Sequence, residues 1–287
     1  MDRCFTTPPA SAQVKISFSI IWLPDVQLWL HADLNCRQAP RILFARMKIA
    51  VIIPAAGLGT RMLSPQSGKA KPAASKQFVD LQGTPVLIHT LRKFAANAEV
   101  KEIFVALRKN EIDSFRQRLE REAPEILRKK TVLLEGGEHR QHSVSNALAM
   151  VQASADDIVL VHDAVRPFVN DEIIHDVIAA AAKYGAAIAG VPAVDTVKQV
   201  ERTAEGATIK ATIPREKIVM AQTPQGFRYD VLKKAFDEAA ADGMIGTDEA
   251  SLVERSGHPV AVVMGSPRNI KITTPADLEL AEFFLKR

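Results

Sequence analysis

From residue 47 to its C-terminus, this 287-residue sequence has neither cysteine nor tryptophan; Cys4, Trp22, Trp29 and Cys36 account for both residue types. Two cysteines with no C-x-x-C spacing exclude a disulfide framework, a zinc ribbon and a dithiol redox motif. Long apolar runs are also missing. The most apolar early stretch, Phe18 to Leu30, is broken by Pro24 and Asp25, and it falls short of the roughly 18 to 20 residues that a membrane span requires. Nor is it a signal peptide, because Met1-Asp2-Arg3 leads into a Thr/Pro segment and two tryptophans instead of a basic start and an unbroken apolar stretch. Blocks of basic charge are absent. The net charge is +4, but residues 1–46 hold five Lys/Arg against three Asp/Glu and the remainder holds 32 against 30. A nearly neutral body without a basic helix carries no nucleic-acid footprint.

What is present is an ordinary globular composition, 47% hydrophobic and 24% charged, long enough to bury a core without covalent staples. The composition changes at Met47, where Lys48-Ile49-Ala50-Val51-Ile52-Ile53 begins the first buried strand. Residues 1–46 therefore read as a leader, disordered or an over-extended start, and 47–287 as the functional unit. A body without cysteine fits a reducing cytoplasm.

Apolar β-branched runs then alternate with helix-period segments, the pattern of parallel βαβ units. Strands are expected at Lys48 to Pro54, Glu102 to Leu107, Thr131 to Leu134, Asp157 to His162, Ala186 to Val191, Ile218 to Ala221 and Val260 to Met264. Helices are expected at Pro85 to Ala96, Glu111 to Arg121, Arg140 to Val151, Asp171 to Tyr184, Asp230 to Ala241, Thr247 to Ser256 and Pro275 to Leu285. The stretch 195–214 breaks the alternation: two β-rich runs around a turn at Thr203 to Gly206 predict a hairpin arm. A lone hairpin is marginal in water, so a second subunit is one candidate for what it packs on.

In an open parallel sheet, ligands bind beyond the carboxyl ends of the strands. The loop after the first strand, Pro54-Ala55-Ala56-Gly57-Leu58-Gly59-Thr60-Arg61-Met62, permits close backbone approach to a phosphate. It is neither a P-loop, since Ala70 follows Gly68-Lys69, nor a complete dinucleotide fingerprint, since Met62 takes the third glycine position. Lys69, Lys71 and Lys76 add cations suited to a triphosphate. A second loop, Glu135-Gly136-Gly137-Glu138-His139-Arg140-Gln141-His142-Ser143, offers two glycines and a hydroxyl for a base edge; two histidines without a third ligand do not make a metal site. In a third, Val161-His162-Asp163-Ala164-Val165-Arg166-Pro167, Asp163 is placed to orient a divalent ion or a substrate hydroxyl, or to close the turn with Arg166. Lys271, in the apolar run Asn269-Ile270-Lys271-Ile272-Thr273, is expected within a strand, facing an anion or the cleft.

These loops, with Ser75-Lys76-Gln77-Phe78, Asp195-Thr196-Val197-Lys198, Thr223-Pro224-Gln225 and Thr247-Asp248-Glu249-Ala250, closely resemble the 2-C-methyl-D-erythritol 4-phosphate cytidylyltransferase family, in order from about Met47 onward. The resemblance implies a Rossmann-like, three-layer α/β nucleotidyltransferase fold with a protruding arm. It also implies a Mg²⁺-dependent enzyme of non-mevalonate isoprenoid synthesis that joins CTP to methylerythritol phosphate and releases pyrophosphate, working as a homodimer whose arms embrace. Carried over, Ala55, Ala56, Gly57 and Ala164 line the nucleotide site, and Gly137, Glu138 and Ser143 recognise cytosine. Arg61 and Lys76 bind the triphosphate; Asp163 contacts Mg²⁺ or substrate, with Lys271 on the phosphate side. Thr196, Lys198 and Arg215 bind the acceptor, Arg215 from the partner subunit. The loop from Arg61 to Lys76 is longer than the family's usual one and Ser75 replaces a proline, so Lys69 or Lys71 competes for the lysine role. A ribitol-5-phosphate cytidylyltransferase and a non-catalytic nucleotide-binding scaffold are the two rival readings.

Overall fold

The apolar run after Lys48 becomes the central strand β1 (Ile49–Pro54) of the computed structural model, which describes residues 47–57 and 76–286. The leader and the segment 58–75, with Arg61, Lys69 and Lys71, lie outside the described residues. Strands β4 (Glu102–Leu107), β5 (Lys130–Glu135), β6 (Ile158–Val161), β7 (Ala186–Pro192), β10 (Val219–Arg228) and β11 (Ala261–Met264) complete a seven-stranded sheet, ordered β11-β7-β10-β6-β1-β4-β5. All run parallel except β10, which is antiparallel to both β6 and β7. The chain is thus the mostly parallel α/β fold that the alternation predicts.

Strand side chains alternate between faces, and this sorts the core into two layers. Ile49, Val51, Ile53, Ile103, Val105 and Leu160 meet α1 (Val86–Ala96), α2 (Ile112–Glu122) and α4 (Asp171–Tyr184) on one side. Ala50, Ile52, Phe104, Val159 and Val161 meet α3 (Arg140–Leu148), α5 (Tyr229–Ala241) and α6 (Glu249–Arg255) on the other. Each fully buried large side chain contributes about 1.5–3 kcal/mol. The last helix, α7 (Pro275–Leu285), starts with Pro275 at its first turn and a Thr274–Asp277 capping box. It covers a smaller cluster with Leu81, Val86, Val165 and Ile272.

Two hairpins stand outside the main sheet. The first, β2 (Asp80–Leu81) with β3 (Thr84–Pro85), turns through Gln82 (φ 53°) and Gly83 (φ 77°), positive values that the tight turn requires; the sequence reading missed it because each strand has two residues. The second is the expected arm, β8 (Val197–Thr203) and β9 (Gly206–Ile213), which forms its own two-stranded sheet and is exposed along nearly all its length. Its root matters more than its tip. The arm leaves after β7 and returns into antiparallel β10, with Val219 opposite Pro192, so it springs from the sheet edge that carries the strand-end loops.

His162, at the end of β6, is fully buried, and the loss of hydration holds its imidazole down at about 4, against a backbone contact and Asp163 that pull the other way. Its Nε2–H donates to the Arg166 carbonyl (3.1 Å), and Phe94 meets the ring edge-on at 4.8 Å. Folding therefore favours the neutral imidazole. The stability this contributes is complete above the unfolded value of 6.5 and is lost as pH falls toward 4. Chemical unfolding at pH 6.5 and pH 5 is expected to show a loss of about 2 kcal/mol in the wild type that is missing from His162→Gln.

Candidate active site

The carboxyl ends of β1, β4, β5 and β6 converge, and hydrogen bonds carry the pattern into their loops. Ala55 N–H donates to Ala106 O (2.7 Å), Gly136 N–H to Leu107 O (2.7 Å), and His162 N–H to Ile52 O (3.0 Å). Because Ile52 pairs with Val161, Pro54 and Asp163 leave the sheet side by side. Gln77, 1% exposed, donates through Nε2 to Ala55 O (2.6 Å) and so fixes the turn containing Lys76 against the first loop.

The second loop packs on the first. A Cβ at Gly136 would lie 2.6 Å from Ala56 Cβ and 2.8 Å from Ser143 Oγ; one at Gly137 would lie 2.3 Å from His142 Cβ and 3.2 Å from its backbone carbon. Both positions therefore exclude a side chain. Ser143, expected at a base edge, accepts from Gly137 N–H (3.1 Å) and is 2% exposed, so its hydroxyl also shapes the turn. Glu138 stays exposed beside it, as does Gly57 at the end of the first loop. His139 and His142 have ring centroids 5.1 Å apart, and no three potential ligands cluster among the described residues.

Asp163 is the centre of charge. Its Oδ2 meets Lys271 Nζ (2.9 Å) and Arg166 Nε (3.2 Å), and its Oδ1 faces Arg140 Nε at 3.5 Å. Burial alone would raise its pKa, but the fields of Arg140, Lys271 and Arg166 outweigh burial and hold the carboxyl well below the carboxylate range. Thr223 Oγ1 accepts from Asp163 N–H (3.0 Å), and Ala164 O accepts from Thr90 Oγ1 (2.9 Å). Arg166 is committed elsewhere too, donating to Asn269 O (2.7 Å). Lys271 differs. Its side chain is 35% exposed, so its ammonium keeps donors for an anion. It lies in a segment outside any strand, which corrects the expected strand placement: the segment's hydrogen bond, Ile272 N–H to Val165 O (2.9 Å), goes to a loop.

Arg140 and Glu249 complete the cluster, and sequence reading singled out neither as a functional residue. Arg140 Nη1 contacts both Glu249 oxygens (2.6 and 2.7 Å). Burial would lower the pKa of Arg140, but the carboxylates of Glu249 and Asp163 raise it above its ordinary value. Burial pushes Glu249 up, with the Arg140 guanidinium pulling against it. The signal was the pair itself, a charge opening each of two helices in quoted motifs. The arm residues are not brought to Asp163 within one chain. Thr196 is exposed, Lys198 donates to Thr212 across the arm (2.7 Å), and Arg215 donates to Val194 O (2.8 Å).

A carboxylate ringed by cations at the ends of parallel strands, beside a backbone turn that only glycine fits, is suited to a nucleotide and a second phosphate. The sequence model of IspD, 2-C-methyl-D-erythritol 4-phosphate cytidylyltransferase, matches residues 49–287. The chain belongs to that family.

Two curated 2-C-methyl-D-erythritol 4-phosphate cytidylyltransferases are similar over most of their length. That of Acidobacterium capsulatum is 58% identical over 84% of this chain and 98% of its own; that of Solibacter usitatus is 53% identical over 84% and 96%. The crystal structure of the Thermus thermophilus cytidylyltransferase superposes with a TM-score of 0.65 at 35% identity, covering 84% of this chain and all of that one (100%). The nucleotidyltransferase fold of the family is thus the fold of this chain.

Proposed function

We propose that this chain transfers the cytidylyl group of CTP to 2-C-methyl-D-erythritol 4-phosphate, giving 4-diphosphocytidyl-2-C-methyl-D-erythritol and pyrophosphate in non-mevalonate isoprenoid synthesis. The observation that carries this is the 58% identity to a cytidylyltransferase of that name across 98% of its length. The described charge cluster fits the chemistry. A phosphate oxygen of the acceptor attacks the α-phosphorus in line, the new P–O bond forms as the bond to the bridging oxygen breaks, and pyrophosphate leaves. Such transfer needs positioning and charge neutralisation and no protein nucleophile.

In this reading Ala55, Ala56, Gly57 and Ala164 line the nucleotide site, while Gly137, Glu138 and Ser143 set the cytosine pocket. Arg61 and Lys76 hold the triphosphate, and Lys271 faces the phosphates with Asp163 as its counter-ion. Of the two carboxylates in the described charge cluster, Asp163 is the one that would meet a cation, since Glu249 is taken by Arg140. Its Oδ1 has only the loose contact to Arg140, which suits Mg²⁺ held mainly by phosphate oxygens and water. When bound, Mg²⁺ supplies charge neutralisation to the triphosphate. The functional unit is residues 47–287, and a reducing cytoplasm is its compartment; among the described residues no helix is long and apolar enough to cross a membrane.

The deciding assay follows pyrophosphate release with CTP and Mg²⁺ against two acceptors, using the chain begun at Met47 beside the full chain. Turnover with methylerythritol phosphate by both is expected. Turnover of ribitol 5-phosphate alone would overturn the acceptor, and none with either would favour the scaffold.

A homodimer through the arm is part of the proposal. Val200, Ile209, Val219 and Met220 are large apolar side chains left exposed on the arm and its root, and Thr196, Lys198 and Arg215 need a site to reach. Mixing Arg215→Ala with Lys76→Ala subunits is expected to restore activity to roughly a quarter of wild type, because half the random dimers regain one complete site. No recovery would place each site within one chain.

A further inference from the structure

Arg140 joins three parts of the site. It opens α3 directly after the Gly136-Gly137 turn, holds both oxygens of Glu249 through Nη1, and turns Nε toward Asp163 Oδ1 at 3.5 Å. Glu249 opens α6 with only 1% exposure. The start of α6 is itself tied down. Asp248 caps Ser251 in a reciprocal box, and Gln225 of β10 donates to Asp248 Oδ2 (2.8 Å) and accepts from Ala250 N–H (3.1 Å).

Stability does not explain this pair. Burying Glu249 against a partly exposed Arg140 costs free energy that their attraction barely offsets, and apolar residues of similar volume generally serve a core as well or better. The electrostatics do call for it. Asp163 faces three cations, and a guanidinium with no other anion takes a carboxylate in two-pronged fashion. Such an Arg140 would occupy Oδ1 outright. With Nη1 held by Glu249, Nε stops at 3.5 Å, beyond the roughly 3.2 Å limit of a good hydrogen bond.

We infer that Glu249 is a positioning residue for the transfer reaction: it holds the Arg140 guanidinium off Asp163, so that the carboxylate keeps one oxygen for the reacting groups. The pair also couples the Gly136–Ser143 turn to Asp163, so the loop assigned to the base and the acid assigned to the transfer share one clamp. The inference rests on the placement of Asp163 at the transfer site given above.

The test is steady-state turnover with melting temperatures for wild type, Glu249→Gln, Glu249→Asp and the double variant Arg140→Met/Glu249→Leu. Glu249→Gln keeps the shape and removes the charge. It is expected to lower kcat about 10- to 100-fold with KM for CTP nearly unchanged, and Glu249→Asp to recover part of that loss. The double variant is expected to melt at or above wild type and to regain most of the kcat lost in Glu249→Gln, because no guanidinium is left to occupy Asp163 Oδ1. A kcat for Glu249→Gln within about twofold of wild type overturns the inference. If that variant does not fold, Glu249→Asp and the double variant decide together: an Asp variant slower than a folded double variant supports the inference, and a double variant as slow as the Asp variant, or an Asp variant with wild-type kcat, overturns it. A wild type that releases no pyrophosphate overturns the reading of the reaction, and this inference with it; an active wild type beside an unimpaired Glu249→Gln overturns this inference alone.

Discussion

Asp163→Asn is expected to lower turnover by about 100- to 1,000-fold, the effect of removing one preorganised charge from a phosphoryl-transfer site. Asparagine keeps the shape and the backbone hydrogen bond to Thr223 but removes the only charge that Arg166 and Lys271 share. Those cations would then drive each other apart, and Lys271, the more exposed of the two, would leave its place. Stability should fall as well. Breaking a buried ion pair from one side costs about 3–5 kcal/mol, because the partner is left uncompensated. Kinetics at 25 °C on protein shown to be folded by circular dichroism separates the two effects. Turnover within about tenfold of wild type would remove Asp163 from the reacting groups.

Lys76→Ala is expected to cost about a thousandfold in kcat with a small change in melting temperature, since a partly exposed cation in a short 3-10 turn contributes little to folding. The neighbouring Gln77 holds the turn to Ala55 O through a buried hydrogen bond, so the backbone at position 76 should survive the substitution. A cation that acts on charge developing in the transition state lowers kcat and kcat/KM together when removed, and KM for CTP serves as the control. Near-normal turnover in this variant beside an inactive Lys71→Ala would move the role upstream.

The fold was legible wherever one physical signal acted alone. β4, α4 and α7 occupy the segments expected for them, because β4 is an unbroken apolar run after Glu102 and the two helices carry caps: Asn170 accepts from Ile173 N–H, and Thr274 from Asp277 N–H. For β10 the sequence pattern predicts only Ile218 to Ala221, whereas the strand runs Val219–Arg228. Its second half contains Gln222, Thr223, Pro224 and Gln225, residues that read as a loop motif, and the strand tolerates them because its register shifts between Gln222 and Gln225. Its direction was illegible for a further reason, since orientation follows from where the arm returns.

Of the charge cluster, Asp163 and Lys271 stand out in the sequence because an acid at a strand end and a lysine among apolar residues are costly unless they are paired. Arg140, Glu249, Gln77 and Gln225 were passed over as functional residues. Each acts on another residue across more than twenty positions of chain, and no local spacing encodes such a partner.

The position of β10 also sets an order of events. The strands β5, β4, β1 and β6 are complete by residue 161 and leave β6 as an open edge, whereas β10 emerges only after β7 and the arm. During synthesis the first half of the sheet therefore waits with an unpaired edge, a template for wrong pairing. Closing that edge brings Thr223 to the amide of Asp163 and Gln225 to the start of α6 in one docking step. Activity should consequently return after secondary structure when the protein refolds, and a chaperone that shields β6 would raise its yield without touching the finished enzyme.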